Sequence, residues 1–201
     1  MKDNFALLKE PRRPWLDANP LKQKFLALSA NLHPDKIHSS GDAEKSAAAK
    51  QFAELNAAYN CLVEPKSRLL HLLELELGAK PKDIQQIPAA LADLFAEIAN
   101  TCKSVDSFLA EKNKVTSPLL QVRLFGRAQE WMEHLDSLQK KLNGLRGQLT
   151  DELKSLDEKW IADNLESRGG LLKKMEELYR LFGYFNRWNG QIQERAVQLS
   201  L

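Results

Sequence analysis

Leu28-Ser29-Ala30-Asn31-Leu32-His33-Pro34-Asp35-Lys36 is the stretch on which the reading of this chain turns. Upstream of the tripeptide His33-Pro34-Asp35, Leu21, Phe25, Leu28 and Leu32 recur at steps of four, three and four, one face of a helix. Pro34 disfavours helical geometry at His33, so this helix is expected to stop there. It is expected to begin near Pro20, whose fixed φ suits a first turn. Downstream, a loop runs to about Gly41 and Asp42 suits an N-cap. Phe52, Leu55, Tyr59 and Leu62 then mark a third helix. Two amphipathic helices joined by a short segment predict an antiparallel hairpin, with Phe25, Leu28, Leu55 and Tyr59 as its core. A short helix on Phe5 and Leu8 precedes it and ends near Pro11 and Pro14.

Outward from the hairpin the helical period continues and no period-2 run interrupts it. Pro65 opens a fourth helix, stopped by Gly78 and Pro81. It is apolar nearly all round, which implies burial between two packed units. Pro88 opens a fifth helix with the stripe Leu91, Leu94, Phe95, Ile98, Cys102, Val105 and Leu109. Ser117-Pro118 signals the next helix start. There Leu124, Ala128, Trp131, Leu135, Leu138, Leu142, Leu145 and Leu149 alternate at steps of four and three, and the pattern continues through Leu153, Leu156 and Trp160. That heptad pattern predicts a long helix packed along its length, with Gly144 and Gly147 as candidate sites of a bend. Ser167-Arg168-Gly169-Gly170 is expected to break the chain before a last helix carrying Leu171, Met175, Leu178, Phe182, Phe185 and Ile192. The expected fold is all-α: a helical hairpin with flanking helices over residues 1–79, then an antiparallel three-helix bundle over 80–201.

Composition narrows function by exclusion. The 201 residues are 43% hydrophobic and 28% charged, as in an ordinary soluble globular protein. Residues 1–79 carry 11 Lys+Arg against 10 Asp+Glu, and the remainder carries 18 against 17. Neither part has the basic excess that phosphate neutralisation favours, so no nucleic-acid partner is expected. No apolar run approaches the roughly 20 residues that span a bilayer, so no membrane role is expected either. No signal-peptide core precedes the first amphipathic element, so a cytoplasmic protein beginning at Met1 is expected. Cys61 and Cys102 lack CxxC spacing and read as reduced core thiols. His33 and His38 have no cysteine or carboxylate set suited to zinc, and Gly169-Gly170 lacks the lysine and strand of a phosphate loop. No metal, cofactor or catalytic residue is expected, and Trp131, Phe182 and Phe185 read as core.

The tripeptide in its setting resembles the J domain over roughly residues 3–78. Lys24-Phe25-Leu26-Ala27-Leu28 stands before it and Leu55-Asn56-Ala57-Ala58-Tyr59 after it. The continuation Asn60-Cys61-Leu62, then Glu64-Pro65, Arg68 and Leu72-Leu73-Glu74-Leu75, is similar to the HscB-type iron–sulfur co-chaperones. The chain also lacks the Gly/Phe-rich linker and CxxC repeats of a general DnaJ. The match is strong to about Gly78 and loose beyond it. In the family's acidic, leucine-rich stretch this chain reads Pro88-Ala89-Ala90-Leu91-Ala92-Asp93-Leu94-Phe95-Ala96-Glu97, with only two acids.

The resemblance implies a co-chaperone rather than an enzyme. His33, Pro34, Asp35, Lys22, Lys24 and Lys36 would contact a DnaK/HscA-class ATPase and favour its hydrolysis-competent state. Leu91, Leu94 and Leu181 would present a client face to an IscU-like iron–sulfur scaffold, with Phe182 turned inward. Two alternatives stand beside it: a J protein with another client, motivated by the thin acidic stretch, and a helical adaptor with a degenerate J domain, motivated by the few lysines of the second helix.

Overall fold

A computed structural model describes residues 2–30, 32, 41–81, 87–162 and 168–200, and every regular element among them is helical. The chain forms two compact units, Met1–Lys82 with Thr150–Leu181, and Asp83–Leu149 with Phe182–Leu201.

In the first unit, α1 spans Asn4–Leu7 because Asp3 caps it, accepting from the Phe5 and Ala6 amides at 2.9 and 3.2 Å. Phe5 and Leu8 are fully buried. α2 spans Ala18–Ser29 and is capped by Asp17, which accepts from the Asn19 amide. It starts two residues before Pro20, which is tolerated because first-turn amides have no intrahelical acceptor. It also ends at Ser29, ahead of the stop expected at His33.

α3 spans Asp42–Val63, with Gly41 rather than Asp42 at the N-cap; Asp42 and Glu44 instead place negative charge in its first turn. It packs on α1, α2 and α4. Its buried stripe is accordingly Ala48, Leu55, Ala58 and Leu62. The expected stripe is off by part of a turn, since Phe52 is 39% exposed and Tyr59 half-buried. A helix with three neighbours turns its most apolar side to their common centre, not to its hairpin partner alone. Phe25 and Leu28 of α2 are likewise half-buried, although Phe25 stacks on Tyr59 with centroids 4.7 Å apart.

α4 spans Pro65–Leu77. Glu64 caps it through the Ser67 amide at 2.6 Å, Pro65 takes the first turn, and Gly78 ends it at φ +72°, a left-handed cap that favours glycine. Arg68, Leu69, His71, Leu72 and Leu73 are all buried, so more than one face of α4 is covered. Two of its polar side chains meet a later helix, Glu76 pairing with Arg168 and the Lys66 ammonium lying over the Tyr179 ring.

The second unit begins with a single 3-10 turn, Ala89–Leu91, followed by α5, Ala92–Lys112. Helix α6 spans Pro118–Ala162, running unbroken past Gly144 and Gly147, and α7 spans Arg168–Ser200. Gly169 and Gly170 lie inside the first turn of α7 rather than in a break; residues 163–167 lie outside the described set. Ile98, Cys102, Val105, Phe108, Leu124, Leu135, Leu138, Leu142, Phe185, Trp188 and Ile192 form the core. Ion pairs Glu97–Lys141 and Glu111–Arg127 step forward along α5 and backward along α6, so these helices are antiparallel. Asp106–Arg195 and the Lys112 ammonium on the Leu199 carbonyl show that α5 and α7 run the same way. Phe95, read as part of the α5 stripe, is 41% exposed, and Trp131 is half-buried rather than core.

Candidate functional site

The hairpin positions the candidate contact surface of the first unit. Its loop carries His33, Pro34, Asp35 and Lys36, and these four lie outside the described residues, as does His38. Two of the basic residues on α2 are described. Lys22 is exposed. Lys24 is engaged within its own unit: its ammonium lies 2.6 Å from Glu10 Oε1 and donates to the Lys9 carbonyl at 3.1 Å. Lys9 offers that carbonyl from a left-handed turn, φ 54°, just past α1. One turn on from Lys22, Leu26 is 47% exposed.

A buried polar network fixes the segment that leads into α2. Arg68 is 1% exposed. Its Nε donates to the Pro14 carbonyl at 2.8 Å and its Nη1 to the Leu62 carbonyl at 2.5 Å, and the guanidinium lies over the Trp15 ring. Burial brings its pKa down to about 10. Asp157 of α6, 2% exposed, accepts from Arg13 and from the Trp15 amide at 3.1 Å. Trp160 Nε1 donates to the Arg12 carbonyl at 2.9 Å. Pro65 and Arg68 therefore have a physical role here: Pro65 starts α4, and Arg68, one turn on, reaches the Leu62 carbonyl near the end of α3 and the Pro14 carbonyl ahead of α2.

His71 is also buried. It accepts the Asn4 amide on Nε2 at 3.0 Å, which places the neutral ring's proton on Nδ1. Burial holds its pKa below the ordinary value. The thiols of Cys61 and Cys102 are free, and burial raises the pKa of both. Among the described residues no group of three His, Cys, Asp or Glu side chains could hold a metal ion. Among them, too, no helix is long and apolar enough to cross a membrane.

The residues read as a client face divide between the units. Leu91 and Leu94 are half-buried and pack against the core of the second unit. Leu181 is half-buried and falls in the first unit, while its neighbour Phe182 is fully buried.

No family model matches the chain. In sequence it is similar to the co-chaperone protein HscB homolog of Paraburkholderia phymatum, 31% identical over 112 residues, 52% of this chain and 63% of that one. The chain thus spans just under two thirds of that relative's length. The homolog of Chromobacterium violaceum is 28% identical over 137 residues, covering 68% of this chain and 75% of its own. In fold it is similar to chaperone HscB from Vibrio cholerae, with a TM-score of 0.63 at 19% identity over 96% of both chains. Human co-chaperone protein HscB gives a TM-score of 0.61 at 19% identity, over 96% of this chain and 81% of that one.

Proposed function

We propose, on the premise that this chain is an HscB-type co-chaperone by sequence likeness and by fold, that it works in iron–sulfur cluster assembly by switching on a DnaK/HscA-class ATPase. The observation that carries the reading is the placement of His33-Pro34-Asp35 between α2 and α3, two helices that pack on each other within a unit of HscB fold. The protein does no chemistry of its own. Its loop and α2 bind the nucleotide-binding domain more tightly in the hydrolysis-competent state than in the resting one, and that difference drives the shift. His33 and Asp35 supply directional hydrogen bonds, and Pro34 limits the entropy lost when the loop docks. With Lys24 engaged by Glu10, the steering charge falls to Lys22 and Lys36. The client is an IscU-like scaffold met by Leu91, Leu94 and Leu181, each of which keeps part of its side chain accessible.

The test is single-turnover ATP hydrolysis by a DnaK/HscA-class chaperone, with and without an IscU-like scaffold. The wild-type protein should accelerate hydrolysis. His33→Gln and Asp35→Asn should not, with circular dichroism unchanged. Full stimulation by His33→Gln would remove the mechanism. The engagement of Lys24 favours one rival, a helical adaptor that stimulates nothing, and the wild-type result separates the two readings.

A further inference from the structure

His71 ties α1 to α4 by a bond that only a neutral ring can make. Its Nε2 accepts the Asn4 amide at 3.0 Å while the side chain is buried, and the Phe5 ring stacks on its own with centroids 5.7 Å apart. Protonation places a hydrogen on that nitrogen and sets two donors against each other. The titratable groups facing the ring are Lys2, Asp3 and Arg12 of the N-terminal segment, Cys61 of α3 and Glu74 of α4. Most of these are engaged. Asp3 caps α1 and pairs with Arg12 at 2.8 Å, and Lys2 pairs with Glu54 of α3. The Cys61 thiol donates to the Ser67 carbonyl at 3.6 Å. Glu74 is different. It follows His71 by three residues on α4, on the same side of the helix, and both line a hollow of about 590 Å³. Its Oε1 is buried without a hydrogen-bond partner among the described residues, and the Lys80 ammonium stands 3.9 Å off.

We infer that His71 is an acid-operated latch on α1: neutral, it holds the helix through the Asn4 amide, and charged, it turns to the Glu74 carboxylate and lets α1 open. Each state satisfies one buried group and leaves the other, so the proton on the ring selects between them. Four residues cannot sustain a helix alone, so α1 persists only while it is docked. The opening has a fixed end. Trp160 Nε1 holds the Arg12 carbonyl at 2.9 Å, and Asp157 holds the Arg13 side chain and the Trp15 amide, so the chain beyond Arg12 stays in place. The part that moves includes the Lys9 carbonyl and Glu10, which bind Lys24. Opening therefore returns the Lys24 ammonium to solvent.

The test is hydrogen exchange of the full chain, followed as protection factors from about pH 7 down to about pH 5. The Leu8 and Glu10 amides, which donate to the carbonyls of Asn4 and Phe5, report on α1, and the Arg68 amide, which donates to Glu64, reports on the rest of the unit. Protection in α1 should fall about fivefold or more, the worth of one ordinary hydrogen bond, while that of Arg68 holds. His71→Gln can still accept from Asn4 but does not titrate, so α1 should stay protected throughout. Glu74→Gln removes the charge that receives the protonated ring and should move the midpoint to lower pH. Asn4→Pro removes the donor and keeps the helix, because proline suits the first helical position and Asp3 before it is extended at φ −88° and ψ 105°. Its α1 amides should be less protected at neutral pH and should respond little to acid. Unchanged α1 protection in the wild type, parallel loss at Arg68, a wild-type midpoint in Glu74→Gln, or a wild-type acid response in His71→Gln would overturn the inference. Should circular dichroism show His71→Gln unfolded, a wild-type acid response in Asn4→Pro would overturn it instead.

Discussion

Replacing Arg68 with methionine is expected to free the segment before α2 at a cost of about 2–4 kcal/mol to the first unit. The magnitude follows from opposing terms. Holding the guanidinium charged at 1% exposure is unfavourable. A pKa brought down from the usual arginine range to about 10 by burial corresponds to about 3 kcal/mol. Against that stand two charge-assisted hydrogen bonds, to the Pro14 and Leu62 carbonyls, at about 1.5–3 kcal/mol each. The Trp15 contact adds about 1 kcal/mol. The arginine by itself is thus close to break-even or modestly favourable. Methionine removes both sides of that balance while filling much of the volume. What it cannot restore is a donor for the two carbonyls, at about 1–3 kcal/mol each, and that remainder decides the sign. Arg68→Lys keeps the charge but loses the planar fork, so one carbonyl stays unpaired and the loss is smaller. The assay is urea unfolding of the full chain combined with hydrogen exchange at the Trp15 amide, which donates to Asp157. Arg68→Met should lower the unfolding midpoint and speed Trp15 exchange. An unchanged midpoint with wild-type exchange would show that Arg68 does not hold this segment.

Phe25→Ala should destabilise the first unit by about 2 kcal/mol, less than the 3–5 kcal/mol of a fully buried phenylalanine, because Phe25 is half-buried on Tyr59; thermal melts of both proteins check this. His71 gives a pH dependence with a definite sign. Its folded pKa lies below the ordinary 6.5, so the unfolded chain binds the proton first. Its contribution is complete above about pH 6.5 and is lost as pH falls below it, down to the folded pKa. Melting temperatures from neutral pH down to about pH 5 should fall more steeply in wild type than in His71→Gln. Leu91→Ala and Leu181→Ala proteins that remain folded should bind an IscU-like scaffold more weakly in calorimetric titrations, by about 1–2 kcal/mol each; wild-type affinity in both would rule out that client face.

The sequence by itself determined what depends on neighbours along the chain. Pro65 and Gly78 bracket α4, Pro118 opens α6, and steps of three and four mark most of the buried positions from Leu124 to Trp160, although Trp131, Leu145 and Leu149 on the same steps are half-buried. These signals act within a turn or two, through a missing amide, a left-handed cap or a side-chain period, so they are legible without a fold. The candidate contact tripeptide is legible in the same way, by its position between two periodic stretches. Tertiary structure alone decided which side of α3 is innermost, because three neighbours compete for it and none is local. It decided that Arg68 lies inside, bonded to carbonyls of Pro14 and Leu62, and that Asp157 is a buried acceptor for Arg13, 144 residues away in the chain. It also drew residues 150–181 of the two long helices into one unit with the N-terminal residues. A heptad stripe states that a helix will bury one face but leaves open against what. The choice of partner rests on shape and charge contributed by distant segments, and these come together only in the folded chain.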